Sequence, residues 1–440
     1  MTPAKKAAKK TTQKNASGKP DMDWFIDGRF GLFIHWGIYA LPARHEWVKS
    51  KEQITTEDYQ KYFDHFFPDM YDPAEWARAA KQAGMKYFCI TTKHHDGFCL
   101  WDTKQTDYKA TKTPWGKDLI KPMVEAFRAE GIKVGFYHSL IDWHHPDFLV
   151  DRYHPLRENE AEVKKNAKRD QKKYAAYLHK QVRELLTNYG KIDYIFYDFS
   201  YPGDFGKGRD DWNAMELLKL TRKLQPGIVI NDRLDLGDVP GGWDVKTPEQ
   251  CMVREPVKVD GKEVPWETCQ TFSGSWGYYR DEYSWKSVRQ LLTMLIETVS
   301  KNGNLLLNVG PTARGNFDAR AMDRLEGMGK WMQLHGRSIY GCGPAPEEFP
   351  KPDNCFLTYN KKLNRMYVHL LDWRFRQIEL PGFAGKVEYA QLLNDGSEIS
   401  MQGGHQVWMK QGEESGVLDL GLPVRQPDVE IPVIELFMKQ

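Results

Sequence analysis

The 440-residue chain has no apolar run approaching the roughly 20 residues that a membrane-spanning helix needs, which excludes a membrane-spanning protein. It also lacks any large charge of one sign: 62 Lys and Arg stand against 60 Asp and Glu, a formal net charge of +2. Nucleic-acid binding normally demands a basic face, so this balance argues against nucleic acid as the main partner. The six cysteines are widely spaced and form no CxxC pair, which points to reduced, mostly buried thiols rather than a disulfide scaffold. No Gly-rich phosphate loop follows the first strand, and no HxH or HExxH spacing occurs.

One segment is poor in everything that builds a core. Residues 1–21 contain no aromatic residue and no Ile, Leu or Val, but six lysines and a single acid, Asp21. Such a stretch cannot offset its ordering entropy by burial and is expected to be a disordered basic tail. The rest of the chain is therefore mildly acidic. With no apolar signal core visible, the sequence reads as cytoplasmic, the alternative being a periplasmic or secreted protein whose signal has been removed.

What is present is an alternation of helix and strand over residues 22–345. Asp72-Pro73 opens a helix that Gly84 stops, and Tyr87 to Thr91 reads as the next strand. Asp118 starts a helix ending at Gly131, before a strand over Lys133 to Tyr137. A long charged helix over about Glu158 to Tyr189 precedes the strand Ile192 to Tyr197. A helix near Trp212 to Leu224 leads to Ile228-Val229-Ile230, and a helix over Ser287 to Ser300 leads to Leu305-Leu306-Leu307. Repeated helix-then-strand units imply a parallel sheet covered by helices, and their number suits a (β/α)8-like barrel better than an open doubly wound sheet.

Beyond Gly343-Pro344, short strands are expected at Phe356 to Tyr359, Arg365 to Leu371, Gln377 to Leu380, Val387 to Leu393, His405 to Met409 and Val433 to Phe437. Turn residues separate them. Residues 346–440 thus read as a C-terminal antiparallel β-sandwich domain that shows no candidate chemistry, either a scaffold or a ligand-accessory module.

In a parallel barrel, function collects where strands end. Those ends carry His35-Trp36, with Glu46-Trp47 in the following loop; Lys93-His94-His95-Asp96; Tyr137-His138, with Asp142-Trp143-His144-His145 beyond; Asp198; and Asn231-Asp232-Arg233. Aromatic faces beside His, Arg and carboxylates suit a sugar, whose CH faces stack while its hydroxyls take directed hydrogen bonds. Glycoside hydrolysis generally needs two carboxyl groups. Asp198, at the end of an apolar strand, is the first. For the second, Glu249 and Glu267 both read as loop carboxylates near aromatic residues, and residue chemistry alone does not separate them.

The motifs FGLFIHWG (30–37), Glu46-Trp47, KHHDGF (93–98), YHSLIDW (137–143), the Asp198 strand, NDR (231–233), SWGY (275–278) and NGNLLLNVGP (302–311) occur in one order. Together they resemble an α-L-fucosidase of glycoside hydrolase family 29 over nearly the whole chain. The resemblance implies a retaining exo-enzyme that removes terminal α-L-fucose from glycans or oligosaccharides by double displacement, without metal or cofactor. It implies Asp198 as nucleophile and favours Glu249 over Glu267 as acid/base. It also implies that His35, Glu46, Trp47, His94, His95, Tyr137 and Arg233 bind the sugar, with Phe196 and Trp276 along its C5-methyl side. Many relatives carry Gly after the nucleophile, where this chain has Phe199, and this departure implies altered loop geometry.

Two other readings compete. A metal-dependent barrel hydrolase could draw on His35, His94, His95, His138, His144 and His145, although adjacent residues in an extended segment face opposite ways. A catalytically inactive sugar-binding protein is the second. Linkage preference is expected to reside in loops 201–210, 234–247 and 254–265. Fucosylated oligosaccharides or glycoconjugates are the expected partners, with homo-oligomerisation left open.

Overall fold

The computed structural model describes residues 20–373, 376–402 and 416–440. The basic tail, up to residue 19, and the expected strand at His405 to Met409 lie outside these residues.

Seven parallel strands form one curled sheet: β1 (Phe30–Ile34), β2 (Tyr87–Lys93), β3 (Lys133–Ser139), β4 (Tyr194–Asp198), β5 (Val229–Ile230), β8 (Trp266–Thr271) and β9 (Gly303–Val309). Between β5 and β8 the chain adds a small hairpin, β6 (Lys258–Val259) with β7 (Lys262–Glu263). The order in the sheet is β5-β4-β3-β2-β1-β9-β8. The opening between β5 and β8 is crossed by residues 245–249, which pair through isolated bridges Asn231 with Val245, Lys246 with Trp266, and Glu249 with Cys269. A rudimentary eighth strand thus completes the barrel.

The strands read as apolar runs because both faces are buried. Outward side chains meet the helices, whereas Phe33, Tyr87, Cys89, Tyr137, Tyr194, Phe196, Val245, Cys269 and Leu306 fill the interior. The helix Asp23–Gly28 plugs the floor: Phe25 packs on Tyr87 and Tyr194, and its carbonyl accepts a 2.7 Å bond from Asn304 Nδ2.

Helix starts follow their caps. Asp72 accepts from Ala74 N and Glu75 N ahead of Pro73–Gln82, and Ser287 forms a capping box with Gln290 ahead of Val288–Ser300. Capping also corrects the expected single helix over 158–189. Asn159 caps a short helix Glu160–Lys164, a 3-10 turn follows, and Asp170 caps a fresh helix Gln171–Asn188. Two Asx side chains that bond the backbone ahead of them cut the amphipathic stretch in two. The strand Trp266–Thr271 is a second correction. Its WETCQT sequence looks like loop because Thr268 and Gln270 satisfy their polar groups on Cys251 O, and Glu267 on buried tyrosines.

The C-terminal strands form two antiparallel sheets. One contains β10 (Cys355–Asn360), β11 (Arg365–Leu370), β16 (Val433–Met438) and β13 (Val387–Leu392); the other contains β12 (Gln377–Pro381), β15 (Val417–Gly421) and β14 (Ser400–Gln402). They share a core that includes Met366, Val368, Leu380, Leu420 and Ile434. Strands β14 and β15 have no counterpart in the sequence reading. Buried bonds tie this region to the barrel, among them Trp331 Nε1 to Ile431 O at 2.8 Å and Thr358 Oγ1 to Ser338 O at 2.7 Å.

Candidate active site

Period-two alternation sends Asp198, two residues past Phe196, into the barrel mouth. Both of its oxygens are engaged: Oδ1 accepts from Arg233 Nη1 at 2.7 Å and Oδ2 from Tyr137 Oη at 2.7 Å. The same Arg233 nitrogen donates to Glu249 Oε2 at 2.7 Å. Two such contacts to one nitrogen cap the separation of the two carboxylate oxygens at about 5.4 Å, within reach of the roughly 5–5.5 Å of a retaining pair.

Each residue of Asn231-Asp232-Arg233 has a separate task. Asn231 donates to Tyr197 O and accepts from Tyr197 N, locking this segment to β4. Asp232 accepts from Thr247 N and Oγ1 and pairs with Lys246, which fixes the closing segment that carries Glu249. Arg233 spans the two carboxylates, binds Thr247 O and lies over Phe196 with its guanidinium 4.9 Å from the ring centre. Burial opposes its charge, but Asp198 and Glu249 outweigh that and hold the guanidinium above its ordinary pKa.

The inner cavity is lined by Phe33, His35, Trp47, His94, His95, Tyr137, Phe196, Asp198, Phe199, Arg233, Glu249, Cys269 and Trp276. Burial holds the His35 and His95 imidazoles neutral, pushing both down to about 3, and lowers His94 well below its ordinary value. Asn308 Oδ1 fixes His35 through Nδ1 at 2.6 Å, and Ser139 fixes His95 at 2.7 Å. His94 Nδ1, although buried, has no partner among the described residues. Phe33, Phe196 and Trp276 form an apolar flank, with ring centres 5.3 and 6.0 Å from Phe33.

Glu46 stands one step behind this lining. Its carboxylate accepts from Gly277 N at 2.7 Å, while Asn308 Nδ2 donates to Trp276 O at 2.6 Å. These two bonds seat the Trp276 loop. Glu267 is elsewhere: it points into the barrel near its floor and accepts from Tyr87 Oη and, at 2.9 Å, from Tyr194 Oη. Burial pushes its carboxyl up to about 7. Cys269 sits above it on the same strand face, between Glu267 and Arg233.

A wider cleft of about 450 Å³ adjoins the cavity, lined by Tyr153, Asp198, Phe199, Ser200, Tyr201, Asp232, Arg233 and Asp235. Loop 201–210 and the start of 234–247 therefore reach it, whereas the hairpin within 254–265 does not line it. The remaining rim histidines serve packing: His144 stacks on Tyr108 at 3.7 Å, His145 lies 4.3 Å from Tyr177, and His138 meets Thr92 and Trp101. Among the described residues, no group of three or more His, Cys, Asp or Glu is arranged to hold a metal ion. Phe33, Asn308 and Tyr153 escaped the sequence reading as site residues. The first two face inward by strand alternation, which is the signal that would have found them.

The family described as Alpha-L-fucosidase matches residues 1–337. The chain belongs to the α-L-fucosidase family, glycoside hydrolase family 29. Similarity to an α-L-fucosidase of Dictyostelium discoideum is 29% identity over 363 residues, covering 76% of this chain and 74% of the relative. For human tissue α-L-fucosidase it is 28% over 383 residues, covering 81% and 76%. Among solved structures, α-L-fucosidase isoenzyme 1 from Paenibacillus thiaminolyticus is 46% identical with a TM-score of 0.89, covering 95% of this chain and 99% of the other. A Bacteroides thetaiotaomicron α-L-fucosidase, solved as a trapped covalent intermediate with 2-fluoro-fucosyl fluoride, is 28% identical with a TM-score of 0.81 over the full length of both chains. This fucosidase is accordingly a glycoside hydrolase of the retaining type. No helix among the described residues is long and apolar enough to cross a membrane.

Proposed function

We propose that this fucosidase releases terminal α-L-fucose with Asp198 as nucleophile and Glu249 as acid/base. The observation that carries this reading is the single Arg233 nitrogen shared by the two carboxylates. Asp198 attacks the anomeric carbon while Glu249 gives its proton to the departing glycosidic oxygen, leaving a covalent fucosyl-enzyme. Glu249 then takes a proton from the water that hydrolyses the ester, restoring both groups. Glu249 is partly exposed, with 44% of its side chain accessible, as a group meeting both leaving group and water must be. Glu267 is closed off by tyrosines on the barrel floor, which supports Glu249 over it.

The fucose ring is read into the inner cavity. Neutral His35, His94 and His95 can donate or accept at its hydroxyls, and the unpartnered His94 Nδ1 is a ready site for one. Trp47 supplies a face, and Phe33, Phe196 and Trp276 shelter the methyl group. Glu46 is read as a positioning residue that acts through Gly277 and Trp276. The bound partner is a fucosylated oligosaccharide or glycoconjugate.

Asp198→Ala tests the assignment on an aryl α-L-fucoside. Turnover should fall by orders of magnitude and return in part with azide, as a fucosyl azide. Turnover at the wild-type level would remove Asp198 as nucleophile.

A further inference from the structure

Phe199 directly follows Asp198 and is held at φ +80°. Glycine adopts that left-handed backbone freely, but a bulky aromatic residue does so only under strain, and such strain persists where the surroundings over-determine it. Here they do. Leu140 N donates to Asp198 O at 2.9 Å on one side, and Tyr201 and Lys207 pair their backbones at 2.8 and 3.1 Å on the other. Arg152 donates to the carbonyls of Tyr201, Pro202 and Asp204, while Tyr201 and Lys207 both donate to the buried Asp151 carboxylate.

The imposed backbone gives the ring its direction. Its centre lies 5.2 Å from that of Trp47, 4.9 Å from His95, 5.0 Å from Tyr153 and 5.2 Å from Tyr201. Trp47 and His95 belong to the inner cavity, and Tyr153 and Tyr201 to the outer cleft. Among the described residues, only Phe199, Asp198 and Arg233 line both spaces. A glycine would relieve the backbone but remove the ring between them.

We propose that Phe199 is a specificity-determining residue that presents an aromatic face to the leaving group. The fucosidase thereby favours leaving groups that contain a pyranose ring, whose CH face stacks on Phe199. Asp235, which lines the same cleft and accepts a 3.1 Å backbone bond from Arg209, with the Arg209 guanidinium farther off at 3.9 Å, is placed to accept hydroxyls. This inference rests on Asp198 being the nucleophile, since it places the following residue at the junction of fucose and leaving group.

The test compares α-L-fucosyl fluoride, whose leaving group is one atom, with an α-L-fucosyl-galactose disaccharide. Phe199→Gly and Phe199→Leu should lower kcat/KM on the disaccharide about three- to ten-fold more than on the fluoride, the worth of one aromatic contact. Phe199→Tyr, which keeps the ring, should hold the wild-type ratio of the two substrates. A parallel loss on both substrates, an unchanged ratio in Gly and Leu, or a ratio lost in Tyr would overturn the proposal. Asp198→Ala assayed alongside separates the two readings. Its survival would sink the nucleophile assignment, whereas an unchanged ratio with Asp198→Ala inactive would sink the role of Phe199 alone.

Discussion

Tyr137 donates its phenolic hydrogen to Asp198 Oδ2 at 2.7 Å from the adjacent strand of the barrel. In the strand register Asp198 pairs with Ser139, so the tyrosine begins two residues nearer the floor and its full length reaches the carboxylate. Burial, with Asp198 beside it, raises the Tyr137 pKa well above its ordinary value, so the group remains a donor at any working pH. Removing one hydrogen bond to a charged group costs about 1.5–3 kcal/mol, so Tyr137→Phe should lower kcat/KM by roughly 10- to 100-fold. The melting temperature should change little. Wild-type kcat/KM in a folded Tyr137→Phe would show that the charge on Asp198 does not need this donor.

Glu249 and Glu267 should separate by leaving group. Glu249→Gln should slow substrates with poor leaving groups, such as fucosyl disaccharides, by about 10²–10⁴-fold, the range of general-acid catalysis, and hardly slow fucosyl fluoride in the glycosylation step. Glu267→Gln should affect both substrates alike and by less. Steady-state kcat/KM on the two substrates reads the difference, and a leaving-group split in Glu267→Gln would reverse the assignment.

Glu267 should instead shape stability against pH. Burial raises its folded pKa to about 7 from the ordinary 4.5. The folded state therefore holds a proton that the unfolded state has released between those values. Its stabilising contribution is complete below about pH 4.5 and is lost as pH rises through about 7. The shift corresponds to roughly 3 kcal/mol of pH-dependent stability. Glu267→Gln cannot titrate, so the difference in unfolding free energy between wild type and variant should change by this order between pH 4.5 and 8. Denaturant unfolding at the two pH values measures it. Parallel curves would mean that Glu267 titrates alike in both states.

Glu46 holds the Trp276 loop through Gly277 N. Glu46→Ala leaves that buried N–H without its acceptor, at a cost of about 1–3 kcal/mol. Inhibition by free L-fucose should weaken about 10-fold or more as Trp276 loses its seat. Glu46→Gln, which retains an acceptor oxygen, should recover most of that binding, and equal losses in both variants would point to a direct charge contact with the sugar instead.

The barrel was legible because its outer design is local. Asp72, Asp118 and Ser287 announce helix starts, and strands buried on both faces read as continuous apolar runs. What escaped was structure that satisfies polar groups at a distance. Trp266–Thr271 looked like a loop because its partners are Tyr194, Tyr87 and Cys251, none of them adjacent in sequence. For the same reason Glu267 could not be told from Glu249: both are carboxylates near aromatic residues, and only the third dimension puts one at the floor and the other at the mouth. Asp198 was readable from its strand end alone. The break at Asn159 and Asp170 was also written in the sequence, as two Asx caps inside a helical pattern.

The closing segment 245–249 gives Glu249 a position in space without a fixed position along the chain. It is held by three isolated bridges and by Asp232, not by a full ladder whose length would set the count of residues before it. The connection ahead of it, from Leu234 onward, carries no helix or strand, and after the buried Leu234 and Leu236 it is exposed at Gly237, Asp238, Pro240 and Gly241. Lengthening or trimming that connection would move the carboxylate's residue number while leaving its address on Arg233 unchanged. A carboxylate mounted this way can keep its place while the connection before it is remodelled, whereas Asp198 is fixed to a core strand.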